Sequence, residues 1–109
     1  WPAPCQIPHV LMAKFDVYRS IDGSMLLDCQ SDLLRHLNTR FVAPLVRPDD
    51  AVQVDRRLTP LLDVAGSEML MLTHFASAIP VGALGHCIAS VADQEFSVAS
   101  ALDMLISGF

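Results

Sequence analysis

The sequence predicts a small, mainly β domain, mostly antiparallel, with one C-terminal helix packed on it. Three observations carry that prediction. Turn signals at Asp22-Gly23 and Gly66 each separate two short apolar stretches. The apolar period lengthens to three or four residues only after Asp93. The length of 109 residues makes a single domain that can bury a core without disulfides.

"KFDVYRS" alternates Phe15 and Val17 with polar neighbours and reads as the first strand. Asp22-Gly23 then predicts a type I′ turn, which needs positive φ at both positions. "MLLDCQSDLL" returns as the second strand, with Gln30, Ser31 and Asp32 marking its end. "RHLNTR" is a loop with Asn38 and Thr39 as turn residues. "FVAPLV" is the third strand; Pro44 has no ladder donor, so an edge or a bulge is expected there.

"RPDDAVQVDRRL" holds six charged residues in twelve and reads as a solvated loop or short helix. "TPLLDV", "AGSE" and "MLMLTHF" make a second hairpin around Gly66. "ASAIPVGALGHCIASV" is broken by Pro80, Gly82 and Gly85, giving a connection and a further strand. Asp93 is expected to cap the helix, and Glu95 suits its positive first turn. Phe96, Ala99, Leu102 and Ile106 form the expected core stripe, broadened by Val98 and Leu105. Ser97, Ser100 and Asp103 fall on the other side.

The opening "WPAPCQIPHVL" carries three prolines and precedes Met12, a natural start. It lacks the charged front and long apolar centre of a signal peptide. Residues 1–11 are therefore read as a vector-derived or wrongly assigned extension, non-native or disordered, and 12–109 as the domain. On that reading Cys5 and His9 carry no function.

Composition narrows the function classes. Twelve acids against seven bases give a net charge of −5, and Arg56-Arg57 is the only adjacent basic pair. That balance disfavours direct nucleic-acid binding, which draws most of its affinity from phosphate contacts. No apolar run reaches the ~20 residues of a membrane helix. A mean hydropathy of +0.42 is high for a chain this small, and a homodimer burying one face would relieve it. Met69–Leu72, "MLML", is apolar on both faces. It is read as a strand with one face in the core and the other in a dimer interface. Cys5, Cys29 and Cys87 are an odd count without C-x-x-C spacing, which reads as reduced thiols in a cytoplasmic protein.

No enzyme signature is present: no phosphate-cradling glycine loop, no H-E-x-x-H and no G-x-S-x-G. His36, His74 and His86 are scattered, so neither a metal site nor a cofactor is expected. Cys29 and Cys87 read as small buried hydrophobes.

"DCQSDLL" followed by a loop and "RFVAPL" resembles the paired strands "DVQSD" and "VIPL" of the CcdB toxins. "TPLLDV", a short hairpin, "MLMLTHFASAIPV" and a terminal helix follow in the same order, so the resemblance covers Met12–Phe109. It implies an SH3-like, CcdB-type antiparallel barrel that forms two-fold dimers. It also implies a bacterial toxin of a type II toxin–antitoxin system, as used in plasmid maintenance, that is not an enzyme. Such toxins bind the A subunit of DNA gyrase and trap it on cleaved DNA, as topoisomerase poisons. A CcdA-like antitoxin neutralises them with a flexible segment.

The resemblance places the gyrase contact on Ser107, Gly108, Phe109, Ile106, Asp103, Leu33 and Leu34. Gly108, Leu33 and Leu34 keep the family character. Ser107 stands where the family has a tryptophan, Phe109 replaces an aliphatic residue, Asp103 an asparagine and Ile106 a phenylalanine. A serine supplies neither the stacking face nor the area of that aromatic anchor. Independently of any partner, a left-handed Gly108 would let Phe109 fold back on Met104 as a helix-closing contact.

Three functions compete. The first is the gyrase poison. The second is a diverged CcdB homologue that binds antitoxin but has weak or no gyrase poisoning because of Ser107. The third, from fold analogy with MazF and Kid toxins, is an endoribonuclease, for which Arg40 and His36 are the only candidates as cation and base.

Overall fold

A computed structural model describes residues 14–108. The readings of residues 1–11 and of Phe109 lie outside the described residues. Seven strands and one α-helix follow in order. They are β1 (Asp16–Ser20), β2 (Met25–Asp28), β3 (Thr39–Val46), β4 (Leu61–Val64), β5 (Ser67–Met71), β6 (Ser77–Pro80), β7 (Leu84–Ser90) and α1 (Glu95–Ser107). The strands form one curled antiparallel sheet in the order β4-β5-β3-β2-β1-β7, with β6 also paired to β3. This is the mainly β half-barrel with one terminal helix that the sequence predicts. The stretch read as a connection and a further strand holds two strands, β6 and β7, separated by a 3₁₀ turn at Val81–Ala83.

Strand alternation sorts the side chains onto two faces. Val17, Leu27 and Ala43 stand opposite one another across β1, β2 and β3. With Leu45, Leu62, Val64 and Met71 they form the main core, closed by Val98 and Ala101 of α1. The other face carries a smaller cluster of Tyr18, Val42 and Leu84.

Pro44 lies in the centre of the sheet, not at an edge. The Pro44 carbonyl accepts from Leu72 N–H at 2.9 Å, so its missing donor points toward the β5 and β6 side. There β3 changes neighbour, pairing β6 through Thr39–Val42 and β5 through Leu45–Val46. The proline sits at the changeover, where the absent N–H interrupts least of the ladder.

The two turns also differ from expectation. At Asp22-Gly23 only Gly23 has positive φ, at 94°. Gly23 N–H bonds Ser20 O at 2.9 Å and Ser20 N–H bonds Ser24 O at 2.7 Å, a three-residue loop ending in a bulge glycine. The turn with positive φ at both centres is Ala65-Gly66, at 52° and 87°. Asp63 Oδ1 accepts from Gly66 N–H at 2.9 Å and helps to hold it.

Met69, Leu70 and Met71 are buried within this one chain, Leu70 to 1% exposure. Met69–Met71 is thus the end of a strand covered on both faces, with Leu72 half-buried just beyond it, and the reading of "MLML" as a dimer contact is corrected. Cys29 is a free, buried thiol, pushed up to about 12 by desolvation. Cys87 is disulfide-bonded, so the reading of three reduced thiols fails there.

The charged stretch after β3 is a solvated loop with a 3₁₀ turn at Pro48–Asp50. Asp55 Oδ1 accepts from Arg57 N–H at 2.8 Å and Leu58 N–H at 3.1 Å, and those bonds hold its carboxyl below the usual range. Arg57 Nε donates to Ser100 Oγ at 2.7 Å, tying the loop to α1.

Candidate functional site

The helix starts differently from the prediction. Asp93 lies in a 3₁₀ turn, Ala92–Gln94, and Gln94 occupies the cap position without a side-chain cap bond. Its amide is committed elsewhere: Nε2 donates to Asp63 O at 2.7 Å and Oε1 accepts from Asp63 N–H at 2.8 Å. One glutamine side chain thereby occupies both backbone groups of an outer strand, β4, which an exposed edge would leave open to pairing. No local sequence signal marks this, because the partners are 31 residues apart.

At the other end Gly108 adopts φ 80° and its N–H bonds Met104 O at 3.0 Å, the left-handed stop predicted for it. Between these ends the expected core stripe is displaced. Val98 and Ala101 are fully buried and Leu102 packs beside them, but Phe96 is 83% and Ile106 77% exposed. Ala99, Asp103, Ser107 and Gly108 are exposed as well. The helix is apolar on two sides, so periodicity cannot tell which side meets the sheet. Small Ala101 and compact Val98 pack against it, and the bulkier Phe96 and Ile106 are left outside.

Leu33 and Leu34 lie on a 3₁₀ turn, Asp32–Leu34, directly after β2. Ser31 Oγ accepts from Leu33 N–H at 3.2 Å and Asp32 Oδ1 from Lys14 N–H at 2.8 Å. Gln30 braces the turn from inside: Nε2 donates to Leu34 O at 2.9 Å and Oε1 accepts from Phe41 N–H at 3.0 Å. Leu33 is consequently held outward at 87% exposure. The structure thus gathers Asp103, Ile106, Ser107 and Gly108 on the last turn of α1, and sets Leu33 and Leu34 on a separate apolar knob. Packing between that knob and α1 is not among the main contacts of the fold.

The ribonuclease candidates fare differently. His36 is exposed on the loop before β3. Arg40 is 1% exposed and faces inward, its Nε donating to Asp28 Oδ2 at 2.8 Å and its Nη2 lying 2.6 Å from the same oxygen. Nη1 has no hydrogen-bond partner. Burial pushes the Asp28 carboxyl up, while Gln30 N–H and Arg40 pull it back. Burial also raises the nearby Tyr18 phenol, with Asp16 and Asp28 adding to the effect. Arg40 is a structural ion pair with no access to a phosphate, and its nomination as a phosphate-binding cation is corrected.

Among the described residues, no three His, Cys, Asp or Glu side chains gather as metal ligands. Among those residues, too, no helix is long and apolar enough to cross a membrane.

Among the solved structures that share the fold are two from mycobacteria. A toxin from Mycobacterium tuberculosis, MazF-mt6, is 22% identical at a TM-score of 0.67, covering 81% of this chain and 92% of its own. An endoribonuclease from Mycobacterial species is 12% identical at a TM-score of 0.68, covering 86% of this chain and 89% of its own. At these identities the likeness concerns the fold alone. The sequence profile described as CcdB protein matches residues 14–108. With that match spanning every described residue, the chain belongs to the CcdB family of toxins, whose members act as one half of a toxin–antitoxin pair.

Proposed function

We propose that this CcdB-family protein binds the A subunit of DNA gyrase through the outer face and tail of α1 and traps the enzyme on cleaved DNA. It acts in the cytoplasm as a homodimer, uses no cofactor, and performs no catalysis itself. A CcdA-like antitoxin neutralises it by covering the same surface. The observation that carries this reading is the displaced apolar stripe. Phe96 and Ile106 are large, apolar and open to solvent on an element whose opposite side already closes the core. Large apolar side chains left in water on a helix whose other side is buried support a reading of α1 as a binding element.

Titration with a purified gyrase A fragment tests the target, alongside expression in a strain whose gyrase resists family toxins. Saturable binding and survival of the resistant strain are expected. Equal killing of both strains would remove gyrase as the target.

Ser107 favours a second reading, in which antitoxin binding persists and gyrase poisoning is weak. An aromatic anchor commonly supplies ~2 kcal/mol or more to an interface, and Ser107 is exposed without one. On this reading Ser107→Trp gains gyrase affinity and leaves antitoxin binding unchanged. The fold of the two mycobacterial structures also suits a ribonuclease. With Arg40 inside the sheet, incubation with purified RNA is expected to leave it intact.

A further inference from the structure

The knob that follows β2 is apolar without being part of the core. Leu33, Leu34 and Leu37 are 87%, 44% and 41% exposed, and no residue of the Asp32–Leu34 turn is buried. Burial cannot fix the place of such a segment, so hydrogen bonds have to. Most of those it makes are local. Leu34 N–H bonds Ser31 O at 3.0 Å, Arg35 N–H bonds Asp32 O at 3.3 Å and Leu37 N–H bonds Leu34 O at 3.1 Å. Bonds of that span shape the turn but do not aim it.

Two ties reach outside the turn. One is the exposed bond from Lys14 N–H to Asp32 Oδ1 at its start. The other is Gln30, which is buried. Its Nε2 donates to Leu34 O and its Oε1 accepts from Phe41 N–H, so a single amide joins the knob to β3. Leu34 O accepts from Leu37 N–H as well, which makes that carbonyl the joint of the whole segment. Gln30 is fixed in turn, because its N–H donates to Asp28 Oδ1 at 3.0 Å and Asp28 Oδ2 accepts from the buried Arg40. A series of polar groups thus runs from the interior of the sheet to the base of the exposed leucines.

We propose that Gln30 is a positioning residue for partner binding. It carries the rigidity of the buried Asp28–Arg40 pair out to Leu33, Leu34 and Leu37 and sets how they are presented, with Leu37 as a contact beyond those the family resemblance names. A preset knob spares the partner the cost of ordering it on binding. The inference rests on the gyrase reading, in which the resemblance gives Leu33 and Leu34 a place in the contact.

The test combines amide hydrogen exchange with titration of a gyrase A fragment, on the full chain and two variants. Gln30→Met fills similar space but cannot donate to Leu34 O. Exchange at Phe41 and Leu37 should quicken by at least about tenfold, and affinity should fall by about tenfold, while amides of β4 and β5 keep the parent's rates. Gln30→Glu separates positioning from packing. As a carboxylate it only accepts, and it would set an anion against Leu34 O; once protonated it donates and accepts as the amide does. Burial and the neighbouring Asp28 carboxylate raise its pKa above the ordinary ~4.3, and Arg40 is already committed to Asp28. Slow exchange at Leu37 and tight binding should therefore return in Gln30→Glu between about pH 7 and about pH 5, with no such recovery in Gln30→Met.

Parent-like exchange at Phe41 and Leu37 in Gln30→Met would overturn the inference. So would a Gln30→Glu variant that behaves alike at both pH values, or faster exchange with unchanged affinity. A parent that does not bind the gyrase fragment would remove the gyrase reading instead, and exchange would then decide on Gln30 alone.

Discussion

Arg40 and Phe96 occupy the places that each other's side chain would ordinarily take. The guanidinium of Arg40 is 1% exposed inside the sheet, whereas the ring of Phe96 is 83% exposed on the helix. Burying a charge costs several kcal/mol unless it is paired and hydrogen-bonded, and Asp28 supplies that pairing here. Leaving an aromatic ring in water forfeits the ~2 kcal/mol that its burial would contribute. The sheet therefore keeps polarity inside for its own architecture, and the helix leaves apolar area outside, where we propose that a partner binds. Residue type alone misplaces both, which is why Arg40 looks catalytic in the sequence and Phe96 looks like core.

Breaking the buried pair should have the largest effect. Asp28→Asn leaves the Arg40 guanidinium uncompensated, and urea unfolding should register a loss of about 3–5 kcal/mol. A loss below about 1 kcal/mol would mean that water reaches the pair and that the contrast with the helix is overstated. Next in size is Gly85, where an added Cβ would collide with the backbone carbonyl of Arg19 across β1 and β7. Gly85→Ala should cost about 1–3 kcal/mol through backbone shifts, measured by the same unfolding curve.

The outer face of α1 should behave in the opposite way. Phe96→Ser and Ile106→Ser should alter stability by no more than about 0.5 kcal/mol, as exposed substitutions do. Each should nevertheless weaken binding of a gyrase A fragment in calorimetric titration, by about 1–2 kcal/mol. A fall in stability with unchanged binding would return these residues to the core.

The smallest effect concerns Cys29. Its thiol rises from 9.0 to about 12 because burial penalises the thiolate. The folded state thus holds the proton more tightly than the unfolded state. The stability this contributes is complete below pH 9 and is lost as the pH climbs toward 12. Alkylation by iodoacetamide at pH 8 should spare Cys29 in the native protein and label it in urea; rapid native labelling would mean the site opens.

Much of this protein was legible in local sequence. The hairpin positions, the late change of period, the helix stop at Gly108 and the order of apolar segments all depend on neighbours a few residues apart. Their physical causes, φ preference, alternation and helical repeat, act over the same range. Those residues proposed from family resemblance that lie among the described ones are exposed, yet their grouping was not legible, since Leu33 and Leu34 project from a different element than Ile106.

Contacts between distant segments decided the rest. Pro44 is harmless in a central strand only because β3 changes partner beside it, and Gln94 caps no helix because it binds Asp63. Arg40 is buried because Asp28 faces it from the next strand. In a helix apolar on both sides, period fixes the spacing of side chains but not the side that meets the sheet. That choice rests on which side chains fit against the curved strands, and it put Val98 and Ala101 inside and left Phe96 and Ile106 in solvent.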